Sequence, residues 1–123
     1  MDARLVEPNV LLAFPPSEPL LQPELRLLGK HLSEREPLHL VMDMSRVEII
    51  TSPSIGGLLV LRKLQLERCG RLILCNLRLA TKCILRVVGL DMAFEYVGDK
   101  PEALKALRNE PDLVAGVTGA GAG

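Results

Sequence analysis

Three hydroxyl side chains, those of Thr51, Ser52 and Ser54, lie within one short segment that carries the strongest chemical signal in the chain. The segment follows an apolar run that ends at Asp43, and it comes directly before an apolar helical pattern. The sequence therefore predicts that the hydroxyls lie at a helix N-terminus, where free backbone N–H groups and the helix dipole favour an anion. A hydroxyl in that place can cap the helix, accept a phosphate or contact a partner protein.

Each of these roles has a structural alternative. Ser52 followed by Pro53 is a common helix start, because the serine oxygen accepts a backbone N–H and proline in the first turn gives up a donor that has no partner. Phosphorylation of Thr51, Ser52 or Ser54 is the competing interpretation. Asp43 could orient a loop hydroxyl or meet a partner, and it could equally accept loop N–H groups and close the turn.

Strand and helix patterns that must position these residues alternate along most of the chain. Apolar runs predict strands at 10–14, 38–42, 72–75 and 94–97, and leucine spacings of three and four predict helices near 21–32, 53–68, 79–88 and 99–108. Asp99, Pro101 and Glu102 have the spacing of a helix start with a capping aspartate. Gly70 is placed to end a helix in the left-handed conformation, and Gly89 follows the end of the next helical pattern. This alternation predicts an α/β protein, a sheet with helices packed against it.

The chain of 123 residues predicts one domain over 9–110, preceded by a flexible N-terminus (1–8) and followed by a disordered Gly/Ala-rich tail (111–123). Fifteen basic and fifteen acidic residues cancel, and tryptophan is absent, which argues against nucleic-acid binding. No apolar run reaches the roughly eighteen residues of a membrane span, and the first residues lack a signal-peptide pattern. We therefore expect a cytoplasmic protein.

The residues that usually hold metals or act as nucleophiles do not form a recognisable motif. Cys69, Cys75 and Cys83 are odd in number and are not spaced like zinc ligands, so we expect reduced, mostly buried thiols. His31 and His39 have no companions at metal-ligand spacing. The sequence predicts no metal, no cofactor and no catalytic residue.

The ordered set of features from residue 38 to residue 108 resembles the STAS domain, the domain of bacterial anti-sigma factor antagonists and of sulfate-transporter tails. The resemblance is weaker over 9–37, where proline-rich sequence replaces the family's usual first hairpin. It implies a STAS-like mixed sheet of four to five strands packed against about four helices. The features that carry it are Asp43, Ser45, Val47, the loop 51–54, Ile55-Gly56-x-Leu58-Leu59, Gly70, the strand 72–75, Gly89-Leu90, Phe94 and Ala103-Leu104.

The resemblance implies a non-catalytic signalling domain that binds an anti-sigma factor that is also a serine kinase. In the family, this kinase phosphorylates a serine at the start of the second helix, and binding is then lost. The partner would bind through the loop and helix at 51–66. The implied contact residues are Asp43, Thr51, Ser52, Pro53, Ser54, Ile55, Gly56 and Leu59.

At the phosphorylation site the sequence departs from the family. The family's loop commonly reads Asp-Ser-Ser-Gly or Asp-Ser-Thr-Gly, and the second hydroxyl takes the phosphate. The corresponding residues here are Thr51-Ser52-Pro53-Ser54, so the acceptor position holds Pro53, which has no hydroxyl. Glu18 lies in the first loop, where the family also carries an acidic residue, but the proline-rich sequence gives no alignment that assigns it this role.

Two other functions remain as alternatives. One is a scaffold subunit of a larger STAS signalling assembly, and a homodimer is also left open. The other is a small nucleotide- or phosphate-binding α/β enzyme that uses the helix N-terminus at 52–56 and Gly56-Gly57. The chain has neither a Gly-x-Gly-x-x-Gly motif nor a Gly-Lys-Ser/Thr motif, which disfavours the enzyme.

Overall fold

A computed structural model of the chain describes residues 1–108. Over this range it contains five strands and four helices, in an order that confirms the predicted α/β class. The elements are β1 (Asp2–Glu7), β2 (Val10–Phe14), α1 (Leu21–Ser33), β3 (His39–Asp43), α2 (Ser52–Glu67), β4 (Leu72–Cys75), α3 (Leu79–Val87), β5 (Glu95–Val97) and α4 (Lys100–Arg108).

The strands form one mixed sheet in the order β1-β2-β3-β4-β5. β1 is antiparallel to β2, and the other neighbouring pairs are parallel. Each parallel pair is joined by a segment that contains a helix, as a parallel connection requires. The carboxyl ends of the parallel strands therefore meet at one edge of the sheet, where Asp43 and the loop that follows it lie.

The sheet is covered on both faces, as the continuous apolar strand at 38–42 predicts. Successive side chains of β3 alternate between the faces: Leu40 and Met42 pack in the larger core with α1, α2 and α3, whereas Val41 packs in the smaller core with α4. Four leucines of α1 face the larger core at the predicted spacing, namely Leu21, Leu25, Leu28 and Leu32.

The N-terminal segment corrects the sequence prediction. Residues 1–8 are predicted to be flexible, but Asp2–Glu7 forms a strand that pairs with β2. The two strands form the first hairpin, which proline-rich sequence was expected to replace. The Met1 amino group also lies 2.7 Å from Glu24 Oε1 on α1. A polar segment of this kind has no apolar period of its own, and its order comes from backbone hydrogen bonds to the neighbouring strand. The predicted disordered tail (111–123) lies outside the described residues.

The C-terminal end of α2 also differs from the prediction. Gly70 was expected to be left-handed, but the left-handed residue is Cys69, with φ 60°. Gly70 is required for a different reason, because a Cβ there would lie 2.6 Å from the carbonyl oxygen of Leu38. That carbonyl also accepts a hydrogen bond of 2.7 Å from Nε2 of the buried Gln65. Gly89 follows α3, as predicted, and it has the left-handed conformation, with φ 80°.

The three thiols are distributed differently from the expectation of mostly buried cysteines. Cys75 is buried at the end of β4, whereas Cys69 and Cys83 are exposed. Burial, together with the charges of Asp43 and Asp99, raises the pKa of Cys75 to about 12, so this thiol stays protonated. In residues 1–108 no helix is both long and apolar enough to cross a membrane.

Candidate functional site

Asp43 ends β3 and is 8% exposed. Its Oδ1 accepts the backbone N–H of Ser45 at 2.9 Å, and its Oδ2 accepts Nδ2 of Asn76 at 2.9 Å. Both carboxylate oxygens are therefore used inside the domain, one to close the turn after β3 and one to join it to the residue after β4. This arrangement matches the turn-closing interpretation of Asp43.

The loop after Asp43 is held down by apolar side chains. Met44, Val47 and Ile50 are buried in the larger core, while Ile49 between them is 56% exposed. Because three of its side chains are buried, the backbone of the loop is held against the core. The loop thereby sets the position of Thr51 and of the start of α2 at the surface.

The first turn of α2 does not begin as the sequence predicts. Thr51, and not Ser52, is the N-cap residue, and no side chain makes a capping hydrogen bond within this turn. Ser52 and Pro53 are the first two helical residues, and the Ile55 N–H donates to the Thr51 carbonyl at 2.9 Å. The predicted capping role of Ser52 is therefore wrong, because the helix begins at Ser52 itself, one residue earlier than a Ser52 cap would require.

Thr51 is instead held by a carboxylate from a distant loop. Glu18, in the segment between β2 and α1, accepts the Thr51 N–H at 3.0 Å and the Thr51 hydroxyl at 2.8 Å, both at Oε2. Burial raises the pKa of Glu18, but the Ser54 and Thr51 hydroxyls and the Thr51 N–H outweigh it, so the pKa lies below its usual value. Glu18 is therefore ionised at neutral pH, and its negative charge lies beside the positive end of α2.

Ser54 differs from the other two hydroxyl residues. Its side chain is fully buried, and Oγ makes no hydrogen bond of normal length and angle, although the hydroxyl is near enough to Glu18 to lower its pKa. Thr51 and Ser52 are exposed. A kinase would therefore reach Ser54 only after local opening of the helix start, whereas Ser52 is accessible as the domain stands.

The predicted contact residues separate into a surface group and a core group. The exposed residues are Thr51, Ser52, Pro53 and Gly56. The buried residues are Asp43, Ser54 and Ile55, and Leu59 is partly buried against the larger core. The first group lies at the surface at the start of α2, and the second group lies in the interior or partly in it.

The two glycines of α2 have different surroundings. A Cβ at Gly57 would lie 3.2 Å from Cδ1 of Leu25 on α1, so this glycine permits close packing of the two helices. A Cβ at Gly56 would meet nothing within 4 Å. Both lie inside the helix, and neither forms the glycine-rich loop that holds phosphates in nucleotide-binding enzymes. Among the described residues, no group of three or more His, Cys, Asp or Glu side chains is placed to hold a metal ion.

Sequence reasoning missed the contact that organises this site. Glu18 was noticed as an acidic residue in the first loop, but it is 33 positions away from Thr51, and no local pattern joins the two. A nearby contact was also missed, since the guanidinium of Arg46 lies 5.0 Å from the centre of the Phe14 ring. Both contacts depend on the parallel sheet bringing β2 and β3 side by side.

Comparison with solved structures identifies the fold. The chain is similar to an anti-sigma-factor antagonist (STAS) domain protein from Planctomyces limnophilus, with 23% identity and a TM-score of 0.74 over 89% of this chain and 100% of the other. It is similar to the unphosphorylated anti-sigma factor antagonist SpoIIAA at 13% identity, with a TM-score of 0.72 over 90% and 98% of the two chains. A chain from the stressosome, described as a signal integration and transduction hub, is 21% identical, with a TM-score of 0.68 over 85% and 95%.

These similarities confirm that the chain has the STAS fold, with its mixed five-stranded sheet and four helices in the described range. No protein-family model matches the chain, and no curated protein matches it by sequence.

Proposed function

We propose that this chain is a non-catalytic STAS signalling module that binds a regulatory protein through the surface at the start of α2. The observation that carries the proposal is the contact between Glu18 and Thr51, which fixes exposed hydroxyls and Pro53 at the surface of a fold shared with anti-sigma factor antagonists. An exposed segment that is already held by hydrogen bonds is suited to binding, because less conformational entropy is lost when a partner binds it. The proposed partner is of the anti-sigma factor and serine kinase type.

Regulation at this surface would centre on Ser52. Pro53 has no hydroxyl, Thr51 already donates its hydroxyl to Glu18, and Ser54 is buried. A phosphate on Ser52 would add a charge of about −1.5 to −2 at neutral pH. The positive end of the α2 dipole favours that charge and the Glu18 carboxylate at the same helix end opposes it, and on the partner the phosphate would act through repulsion and desolvation.

The experiment is affinity capture from the native host followed by mass spectrometry, with Ser52→Glu compared with wild type. An acidic residue at the first position of a helix does not disfavour the helix, so the domain should remain folded. Leu79→Glu is a matched control, because Leu79 is the first residue of α3 and is 75% exposed. We expect Ser52→Glu to lose a partner that Leu79→Glu retains. Equal capture by both variants would contradict the proposal.

A scaffold subunit of a larger STAS assembly is the second candidate, and the likeness to the stressosome chain favours it. The same capture experiment separates the two roles. A captured anti-sigma kinase supports the first role, whereas other STAS chains alone support the second. Sedimentation of the purified protein tests the homodimer at the same time.

The small phosphate-binding enzyme is the least supported alternative, because Gly56 and Gly57 are helical. Calorimetry with ATP and GTP provides the direct measurement. We expect no binding in the micromolar range, and micromolar binding of either nucleotide would revive an enzymatic function.

A further inference from the structure

A groove of about 570 Å³ runs between α1 and α2 and opens to the surface beside Pro53. The helices touch beneath it at two glycines: a Cβ on Gly57 would lie 3.2 Å from Leu25, and a Cβ on Gly29 would lie 3.4 Å from Leu61. These contacts occur in the same order along both helices, so α1 and α2 run in the same direction. We call this feature the α1–α2 groove.

The groove carries a strip of small and apolar groups along α2. Pro53, Gly56 and Val60 line it at spacings of three and four residues, and Val60 is 66% exposed. Gly56 leaves open space where a side chain would be, so another chain can approach the helix backbone closely. The spacing of the strip matches the spacing at which a bound helix presents its own apolar side chains.

The charges around the strip are mainly positive. Arg26 and Lys30 line the groove from α1 and Lys63 lines it from α2, while Glu67 supplies the negative charge on its wall. None of the three basic residues forms an ion pair with another described residue. The chain as a whole has no net charge, so three basic groups around one apolar strip make this surface more positive than the average surface of the protein. A surface of this charge complements an acidic partner.

The parallel direction of the two helices sets the length and the polarity of the groove. Both helix N-termini lie at the end next to the Glu18 loop, where the Glu18 carboxylate offsets the positive end of the α2 dipole, so the three basic side chains supply the preference for an acidic partner. α1 has 13 residues and α2 has 16, which gives the groove walls a length of about 20–24 Å. A helix of about three to four turns fits that length.

We propose that the α1–α2 groove binds an acidic amphipathic helix of the protein partner. The inference rests on the proposed function, because the groove begins at the same α2 surface, and it specifies the chemistry of the partner's binding segment. Apolar side chains of the bound helix lie against Gly56 and Val60. Its carboxylates pair with Arg26, Lys30 and Lys63.

A synthetic peptide provides the probe. It has about fourteen residues, with leucine at positions spaced three and four apart and glutamate elsewhere, and it is titrated into ¹⁵N-labelled protein. A second peptide carries lysine in place of every glutamate. We expect the acidic peptide to shift the amide signals of Gly29, Gly56 and Gly57, to bind at least about tenfold more tightly than the lysine peptide, and to weaken as salt is added.

The double variant Lys30→Glu/Lys63→Glu tests the charges directly. Both side chains are exposed and outside the cores, so the fold should persist, and the same spectrum verifies it. Lys82→Glu/Arg86→Glu on α3 is the matched control, with the same change in charge away from the groove. We expect at least about tenfold weaker binding of the acidic peptide by the first variant only. Equal binding of the two peptides, absence of binding, or signal shifts confined to α3 would overturn the inference.

The capture experiment separates this inference from the proposed function. If Ser52→Glu loses a protein partner that Lys30→Glu/Lys63→Glu retains, the partner-binding function stands and the groove inference fails. If the acidic peptide binds the groove but no variant changes capture from the host, the groove chemistry stands and the proposed function fails.

Discussion

The helices α2 and α4 begin in contrasting ways. α4 is capped by its own sequence: Asp99 Oδ1 accepts the Glu102 N–H at 3.0 Å, and Glu102 Oε1 accepts the Gly98 N–H at 2.9 Å. α2 has no capping side chain in its first turn, and Glu18 from another loop binds its N-cap residue Thr51. The first start is local and belongs to one helix, whereas the second joins two loops and forms the proposed binding surface.

The C-terminal ends of the helices show the same contrast between local and long-range contacts. Gly89 follows the end of α3, and its left-handed backbone needs no distant partner. α2 ends where Gly70 and Gln65 approach the Leu38 carbonyl across the domain. Both ends of α2 therefore depend on chain segments that are remote in sequence, and this dependence can be tested.

The largest effect is expected for Gly70→Ala. The added Cβ would lie 2.6 Å from a backbone oxygen, so the segment between α2 and β4 must shift, at a cost of about 2–3 kcal/mol in the free energy of unfolding. Gly89→Ala is the control. The added Cβ would lie in open space, and only the positive φ of the residue is strained, so the free energy of unfolding should fall by about 1 kcal/mol. Urea denaturation measures both. Equal losses would show that the close approach at Gly70 is unimportant.

Asp99→Ala should have the next largest effect. Removing a capping aspartate costs about 1 kcal/mol, because the Glu102 N–H loses its partner. Hydrogen exchange should accelerate within α4 and remain unchanged in α2. Faster exchange at the start of α2 in this variant would contradict a purely local cap.

Glu18→Gln should cost about 0.5–1 kcal/mol, because the charge that accepts both Thr51 donors is lost. Hydrogen exchange should accelerate in two separated loops, before α1 and before α2. The pKa of Glu18 is lower in the folded protein than its ordinary value of 4.5, so the stabilisation is complete above pH 4.5 and is lost as pH falls through the folded-state value. The stability difference between wild type and variant should therefore vanish in acid, and a difference that persists there would contradict this role.

Ser54→Ala should have the smallest effect, within about 0.5 kcal/mol of wild type. The buried Oγ makes no hydrogen bond of normal geometry, so its removal leaves no partner unsatisfied. Ser52→Ala is the exposed control, with an equally small change. A loss of more than about 1.5 kcal/mol for Ser54→Ala would reveal a hydrogen bond to Glu18 and make Ser54 part of the same contact.

Features that depend on residues close together in the sequence were predicted correctly, whereas features that depend on distant residues were missed. The helix start at Asp99 and Glu102 and the position of Gly89 after a helix end were predicted correctly, because each depends on residues within a few positions. The strand at Asp2–Glu7 was missed, because its order comes from pairing with β2 and not from its own apolar pattern. The predicted Ser52 cap failed because its local motif competes with a start at Thr51 that Glu18 holds from another loop.

Local sequence patterns are enough to predict the α/β class, the alternation of elements and the position of the hydroxyl segment at the start of α2. These features are encoded in apolar periods and in short-range motifs, which need only neighbouring residues. Tertiary packing sets which hydroxyl residues are exposed, which carboxylate binds Thr51 and where basic side chains surround an apolar groove. Those outcomes require residues far apart in the chain to meet, and only the packing of the sheet and its helices brings them together.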